Sequence, residues 1–241
     1  MKVTDNTIFI SGSSAGIGFE IAKAFSEKGN KVIINGRNQE RLEKALGQLN
    51  NAFAIQGDLS IESERIRIAE ELKKTHPDIN LIVNNAGEAF AYNLGESNGK
   101  SYEYSSKEII TNYTSIIHFT DLLLSTLKEK PEATVVNITS IVSLLPTTGV
   151  PTYSSSKAAL HFYTQALRMS LSQTSIKVFE VIPPLVNTEF SADIGGANGI
   201  PAGEVAEELV LALENNQFDV PVGQSKTVFA VFKEAIEKLV K

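Results

Sequence analysis

Hydrophobic positions along the chain follow two alternating patterns. Short runs that are almost wholly apolar predict buried strands, whereas stretches in which apolar residues recur every three or four positions predict helices. The predicted strands are TIFIS, KVIIN, AFAIQ, INLIVN, ATVVNIT, IKVFEVI and FDVPV. The predicted helices begin near Gly16, Asn38, Ile61, Lys107, Tyr153 and Glu204, and an amphipathic helix is expected after residue 222.

This alternation predicts one α/β domain over residues 1–241, since no long linker, repeat or low-complexity tract interrupts it. Because the strand runs are apolar on both faces, we expect a doubly wound, Rossmann-type parallel sheet of about seven strands with helices on both faces. Ligands of such sheets bind at the carboxyl ends of the strands. The residues that follow each strand are therefore the first candidates for a site.

Composition narrows the classes of function. With 42% hydrophobic residues, 21% charged residues and a net charge of −6, the 241-residue chain gives no reason to expect nucleic acid as a partner. No run approaches the roughly 18 apolar residues of a membrane span, and the N-terminus has no room for a signal peptide, so we expect a cytoplasmic protein without membrane insertion. The lack of cysteine and the scattered His76, His118 and His161 predict no metal site.

The first predicted strand leads into SGSSAGIG, where Gly12, Gly16 and Gly18 span the turn into a helix. Glycine lacks a Cβ, so the backbone can approach a pyrophosphate and offer it the amides of the helix N-terminus. The pattern alone also fits a plain turn at the start of a helix.

The second predicted strand ends in INGRN, about twenty residues beyond the glycine turn. A site for NAD usually carries a carboxylate at this place, and this chain has Arg37 instead. A guanidinium can pair with a 2′-phosphate, so Arg37 favours NADP(H) over NAD(H), unless it only caps a solvated turn.

Tyr153 and Lys157 enclose three serines in YSSSK. Residues four positions apart lie on one face of a helix, so the phenol and the amine can meet. A chain with six tyrosines also produces such a pair by chance, and the pair alone does not identify a reaction.

Taken together, the motifs resemble those of the short-chain dehydrogenase/reductase family over essentially the whole chain. SGSSAGIG resembles the glycine motif of that family, GDL at 57–59 its adenine-contacting segment, and NNAG at 84–87 its fourth-strand signature. TNYTS supplies Asn112, VVNITS supplies Ser140 thirteen residues before Tyr153, and YSSSK supplies the Tyr–Lys pair. The segments KVTDNTIFISG and VIPPLVNTEF most resemble a bacterial branch linked by name to D-alanine esterification of lipoteichoic acid, a link that we do not adopt as a function.

The resemblance implies an NADP(H)-dependent oxidoreductase that interconverts a carbonyl and a secondary alcohol. It implies that Tyr153 exchanges a proton with the substrate oxygen, that Lys157 lowers the pKa of the phenol and holds the nicotinamide ribose, and that Ser140 polarises the carbonyl. Asn112 would hold a water that relays protons from Lys157. The serines Ser154, Ser155 and Ser156 are expected to be spacers.

The resemblance also implies a set of cofactor contacts. Asp58 would accept from the adenine amino group, and Thr188 would meet the nicotinamide carboxamide. Pro184 stands where the family often has glycine, so we expect the local backbone contacts to differ there. The full set is Gly12, Ser13, Ser14, Gly16, Ile17, Gly18, Arg37, Asp58, Leu59, Asn84, Ala86, Gly87, Tyr153, Lys157, Pro183, Val186 and Thr188.

Residues 185–203 are rich in glycine and follow the sixth predicted strand. We expect a mobile substrate lid here, although an ordinary variable loop would have the same composition. Leu185, Phe190 and Ile194 would close over a mainly apolar carbonyl compound, since only Glu189 and Asp193 are charged.

The stretch 107–127 carries more apolar residues than one stripe facing a sheet requires. We expect its second face to pack against another copy, giving a homodimer or homotetramer, and the resemblance implies the same assembly. Two other functions remain open: a cofactor-binding sensor without catalysis, and a Rossmann-type methyltransferase, which would leave YSSSK and NITS unexplained.

Overall fold

The computed structural model describes residues 1–239, and the last two residues, which the predicted terminal helix includes, lie outside the described part. The strands and α-helices in chain order are β1 (Thr7–Ile10), α1 (Gly16–Glu27), β2 (Lys31–Gly36), α2 (Gln39–Leu46), β3 (Ala52–Gln56), α3 (Glu62–Thr75), β4 (Leu81–Asn84), α4 (Ser101–Ile109), α5 (Ser115–Lys128), β5 (Ala133–Ile138), α6 (Pro151–Ser170), β6 (Ile176–Ile182), β7 (Val186–Asn187), β8 (Ile200–Pro201), α7 (Ala202–Asn215), β9 (Asp219–Pro221) and α8 (Ser225–Leu239).

Seven strands form one parallel sheet in the order β3-β2-β1-β4-β5-β6-β9. The order reverses direction at β1, because β1 pairs with β2 on one side and with β4 on the other. Such a reversal opens a crevice beyond the carboxyl ends of the two central strands. The predicted doubly wound parallel sheet is therefore confirmed.

Side chains that alternate along the strands pack into two hydrophobic cores, one on each face of the sheet. Ile8 and Ile10 of β1 pack toward α1, α2 and α7, whereas Phe9 packs toward α3, α5 and α6. Every residue of β1 is buried, as expected for a strand covered by helices on both faces. The prediction of helices on both faces of the sheet is also confirmed.

The helix predicted to begin near Lys107 begins six residues earlier, at Ser101. SYEYSSKE has no apolar period, so the sequence gives no signal for its first turns. Residues Ile110–Thr114 then form a π-helical turn that connects α4 to α5. A π-turn inserts one extra residue into a helix and often marks a functional site.

On α5, Ile116, Phe119 and Leu123 face the core, as the periodicity predicts. Ile117 on the other side of the helix is only half-buried, and Ile110 in the π-turn is 43% exposed. Phe162 on helix α6 is 67% exposed. We refer to these three exposed or half-buried apolar residues as the α5–α6 face.

Residues 185–203 form an ordered excursion from the sheet. Val186 pairs with Ile200 and Asn187 with Pro201, so β7 and β8 join the two ends of the segment. Between them lie two short 3₁₀ turns, Glu189–Ile194 and Gly196–Asn198. The segment ends at Pro201 and not at Gly203, because α7 begins with Ala202.

No helix of the described residues has both the length and the apolar character needed to cross a membrane.

Candidate active site

A cleft of about 1110 Å³ opens at the carboxyl ends of the parallel strands. The following predicted site residues line it: Gly12, Ser14, Gly16, Ile17, Arg37, Asp58, Leu59, Ala86, Gly87, Ser140, Tyr153, Lys157, Pro183, Val186 and Thr188. Ser13, Gly18, Asn84 and Asn112 are buried behind the lining. The structure therefore brings most of the predicted residues to one cleft and places four in its supporting wall.

The glycine turn brings the chain close to the residues that follow β4. Gly12 has a φ of 61°, and a Cβ there would lie 2.8 Å from the Cα of Ala86. A Cβ on Gly18 would lie 2.5 Å from Nδ2 of Asn85. Both contacts are shorter than real Cβ atoms make, so a side chain at either position would push the turn away from the NNAG segment.

Helix α1 begins at this turn without a side-chain cap. Its N-cap residue, Ala15, makes no side-chain hydrogen bond, and the first turn contains no acidic residue. The first amides of a helix have no partner within the helix, and together with the helix dipole they attract an anion. The start of α1 thus has the backbone geometry and the electrostatics of a phosphate-binding site.

Residues behind the lining fix the turn to its neighbours. The Ser13 hydroxyl donates to the Ile10 carbonyl at 2.6 Å and accepts from the Asn35 amide at 3.0 Å, so it joins β1 to β2. Asn84 donates to Asn137 at 2.8 Å and joins β4 to β5. These hydrogen bonds hold the strands beside the cleft together, and the expected contacts of Ser13 and Asn84 with a cofactor remain predictions.

Tyr153 and Ser140 both line the cleft. Tyr153 lies in the first turn of α6, and Ser140 follows β5. Desolvation raises the pKa of the Tyr153 phenol above its ordinary value, the nearby Ser140 hydroxyl opposes this, and the charge of Glu108 adds to it. The phenol is therefore protonated at neutral pH and can donate a proton.

Lys157 lies one helical turn from Tyr153 and is 3% exposed. Its ammonium donates to the Ile138 carbonyl at 2.8 Å and lies 5.7 Å from the centre of the Tyr153 ring. Burial lowers the pKa of Lys157 to about 8. In this arrangement the protein groups raise the pKa of Tyr153, the reverse of the expected direction, because desolvation of the phenol outweighs a cation that points to the backbone.

Asn112 occupies the middle of the π-turn and is fully buried. Its Nδ2 donates to the Glu88 carbonyl at 2.8 Å and to the Ser156 hydroxyl at 2.9 Å, while its Oδ1 accepts from the Glu88 amide at 2.8 Å. Both amide hydrogens are thus used by the protein. Asn112 ties the segment after β4 to helix α6, and Ser156 is a partner in this network, so the expectation that it is only a spacer is wrong.

Arg37 projects from the end of β2 with its side chain 72% exposed. Its Nη1 lies 3.7 Å from Oδ2 of Asp58, which is longer than a charge-assisted hydrogen bond. The other carboxylate oxygen of Asp58 accepts from the Ser60 amide and hydroxyl at 2.8 and 2.7 Å. Asp58 is therefore held in a turn after β3, at the same end of the cleft as Arg37.

The 185–201 segment forms another part of the cleft wall. Leu185, Phe190 and Ile194 line the cleft, and the ring of Phe190 lies 6.0 Å from that of Tyr153. Glu189 and Asp193 also line it, so the segment presents a mixed surface and not a purely apolar one.

Sequence reasoning missed several residues of the site. Ser11 accepts from the amides of Asn85 and Ala86 at 2.9 and 3.0 Å and thereby fixes the NNAG segment. Glu108 is completely buried, accepts from the Phe90 amide at 2.9 Å, and has its pKa raised by burial. The sequence places Glu108 inside a predicted helix, but it does not show that this acidic side chain points into the protein. That orientation depends on helix α4, whose start the apolar pattern does not mark.

Comparison with known proteins places these features in a wider group. A profile of the family described as "short chain dehydrogenase" matches residues 6–198. The uncharacterized oxidoreductase DltE of Bacillus subtilis is 36% identical over 208 residues, which cover 86% of this chain and 82% of that protein. A short chain dehydrogenase from Burkholderia cenocepacia, solved in complex with NADP, matches with a TM-score of 0.87 and 22% identity over 99% of this chain and 97% of that one. One from Burkholderia phymatum, solved with NAD, gives 0.86 and 18% over the same shares.

Proposed function

The chain belongs to the short-chain dehydrogenase family, and on this premise we propose that it is an NADP(H)-dependent oxidoreductase that interconverts a carbonyl and a secondary alcohol. The observation that carries the proposal is the meeting of Tyr153, Ser140 and Lys157 in one cleft with the uncapped glycine turn. A cofactor-binding sensor would need none of the three side chains.

The cleft fits a dinucleotide in shape and charge. The start of α1 can hold a pyrophosphate. Asp58 would then contact the adenosine, and Tyr153 and Lys157 line the same cleft. Thr188 lies beside Gly16, and Val186 also lines the cleft. When bound, a nicotinamide cofactor supplies or accepts the hydride, which no side chain can do.

The residues of the chain then account for the proton and the orientation. Ser140 donates a hydrogen bond to the substrate oxygen and holds it beside the Tyr153 phenol. Tyr153 gives its proton to that oxygen in reduction and takes it back in oxidation. Lys157 keeps a positive charge near the phenol below about pH 8 and can hold ribose hydroxyl groups.

NADPH is the proposed cofactor because Arg37 stands at the end of β2 and residues 35–37 include no carboxylate. Of the two Burkholderia proteins, one was solved with NADP and the other with NAD, so the preference rests on Arg37. Asn35 is buried and bonded to the Ile55 carbonyl at 2.9 Å, which leaves Arg37 as the exposed polar group of this turn.

We expect NADPH to bind more tightly than NADH by at least about tenfold, the contribution of one charge-assisted contact. Arg37→Ala should reduce that difference about tenfold by weakening NADPH alone. Fluorescence titration of both cofactors measures it, and Lys44→Ala on α2, which removes an exposed charge outside the cleft, is the control. Equal affinities in the parent chain, or an unchanged ratio in Arg37→Ala, would refute the preference.

We propose that residues 185–201 act as the substrate lid. The apolar Leu185, Phe190 and Ile194 beside Tyr153 support a small, mainly apolar substrate, and Glu189 and Asp193 disfavour an anionic one. Since β7 and β8 fix the two ends, movement is expected in the turns between residues 188 and 199.

Limited proteolysis tests the lid. Cleavage near Gly195 and Gly196 should be fast in the free enzyme and slowed severalfold by NADPH together with a substrate, because a closed lid withholds its backbone from the protease. Cleavage in the loop around Gly99, which has an exposed positive-φ backbone outside the cleft, serves as the reference site. If neither ligand changes the cleavage rate at residues 195–196, the segment is an ordinary loop and not a lid.

We further propose that the enzyme assembles through the α5–α6 face as a homodimer or homotetramer. Phe162→Asp places a charge at the most exposed apolar residue of this face and should lower the sedimentation coefficient at micromolar concentration. Leu211→Asp is the control, since Leu211 is 53% exposed on α7, across the sheet. A parent chain that sediments as a monomer would contradict this proposal.

A further inference from the structure

Arg41 and Glu189 form a two-pronged ion pair across the mouth of the cleft. Nη1 and Nη2 of Arg41 donate to the two carboxylate oxygens of Glu189 at 3.0 and 2.8 Å. Arg41 lies in the first turn of α2, whereas Glu189 opens the first 3₁₀ turn of the lid, 148 residues later. Both residues line the cleft, so the pair joins its adenosine side to its substrate side.

The position of Arg41 places it at the end of the cleft proposed for the 2′-phosphate. Gly36 at the end of β2 lies against the glycine turn, since a Cβ on it would be 3.2 Å from Oγ of Ser14. Arg37 follows directly, and Arg41 follows one helical turn later, its amide bonded to the side chain of Asn38 at 3.0 Å. Arg37 and Arg41 are four residues apart, and both line the cleft.

The ion pair contributes little to the stability of the fold. Its side chains are 53% and 68% exposed, and ion pairs with this exposure are close to neutral in stability. The same planar fork that grips a carboxylate fits a phosphate equally well. A dianionic phosphate competes for the guanidinium on favourable terms, since a carboxylate carries one negative charge.

We propose that Arg41 is a second ligand of the cofactor 2′-phosphate and that Glu189 competes with the phosphate for it. This inference rests on the proposed use of NADP(H). Arg37 supplies the charge that is always available, whereas Arg41 binds the phosphate only after it leaves Glu189. NADH has no 2′-phosphate and leaves the pair closed, so Glu189 weakens the binding of NADPH and not that of NADH.

Substitutions of Arg41 and of Glu189 should therefore change the Kd of NADPH in opposite directions. If the ion pair had only a structural role, both substitutions would change it in the same direction. Arg41→Ala should raise the Kd of NADPH about tenfold, which corresponds to ~1.4 kcal/mol. Glu189→Gln should lower the Kd of NADPH about threefold, because an exposed pair is weak and its loss frees Arg41. The Kd of NADH should stay within about twofold in both variants, since it lacks the competing group.

Charge-matched controls lie on the same helix. Lys44→Ala removes a positive charge from α2, and Glu43→Gln removes a negative one that is bonded only to Gln39 at 2.8 Å in the described residues. Adenosine 2′,5′-bisphosphate serves as a probe that carries the 2′-phosphate without the nicotinamide. Its Kd should follow that of NADPH in Arg41→Ala and Glu189→Gln and stay near the parent value in both controls.

Calorimetric titration of the full chain distinguishes the outcomes. If Arg41→Ala binds NADPH and the bisphosphate as tightly as Lys44→Ala does, the inference is overturned. A loss of NADPH affinity in Arg37→Ala would then still support the proposed cofactor preference. Glu189→Gln that does not tighten NADPH would overturn the competition. Arg41→Lys, which keeps the charge and loses the fork, should give an intermediate Kd, and a value equal to that of the parent chain would contradict the two-pronged contact with the phosphate.

Discussion

Tyr153→Phe is expected to reduce kcat by roughly 10²–10⁴-fold, because it removes the hydroxyl that is proposed to give the substrate oxygen a proton, and general acid catalysis is worth about that much. Phenylalanine keeps the ring, so the cofactor should bind with an unchanged Kd. Turnover of NADPH with any carbonyl compound that the parent enzyme reduces measures the loss.

Tyr163→Phe is the matched control for this change. Tyr163 lies on the same helix, packs edge-on against Tyr113, and does not line the cleft. It should keep nearly all of the parent activity. Tyr153→Phe should also keep the protection of the lid by NADPH and substrate, because the shape of the cleft is preserved. A Tyr153→Phe enzyme with more than half of the parent rate would remove Tyr153 from the reaction.

Lys157 should set an alkaline limit on reduction. Its pKa is lowered to about 8, so the amine carries its charge below that pH and loses it as the pH rises. Burial raises the pKa of Tyr153, so the proton donor remains protonated through this range. We therefore expect kcat/KM for reduction to be level up to about pH 8 and then to fall about tenfold per pH unit, as for one ionisation.

Two variants separate charge from shape at this position. Lys157→Met removes the ammonium and should lower kcat/KM by at least about 10²-fold, with no inflection near pH 8. Lys157→Arg keeps a cation that does not titrate in this range and should retain part of the activity while moving the decline to higher pH. A profile of the parent enzyme that stays level to pH 10 would show that the charge of Lys157 is not required.

Most of the fold could be predicted from local patterns in the sequence. The strands of the sheet are short apolar runs, and Tyr153 and Lys157 share a helix face because they are four residues apart, so both follow from spacing alone. Ser140 required the family resemblance, since a serine at the end of a strand has no periodic signal. Cofactor and catalytic roles of these residues remain predictions that the experiments above address.

Contacts between distant, exposed or small residues could not be predicted in this way. Arg41 and Glu189 are separated by 148 residues, and each alone resembles any solvated charge. Ser156 lies among small residues, and only the fold brings it to Asn112. The π-turn at 110–114 leaves no mark in the apolar pattern, because the extra residue is accommodated by backbone hydrogen bonds and not by a change in composition.

Residues 188–199 form a loop whose two ends are held together by the short pairing of β7 with β8. The Ile200 amide also donates to the Leu185 carbonyl at 3.0 Å, and the Ser191 hydroxyl donates to the Val186 carbonyl, so the two ends of this loop are firmly joined. The entropic cost of closing a loop grows by only about 0.6 kcal/mol for each doubling of its length. We therefore expect that a shorter or longer stretch can be grafted between Thr188 and Ile200 and that it would change the substrate range, while Thr188 and the proposed catalytic residues stay in place.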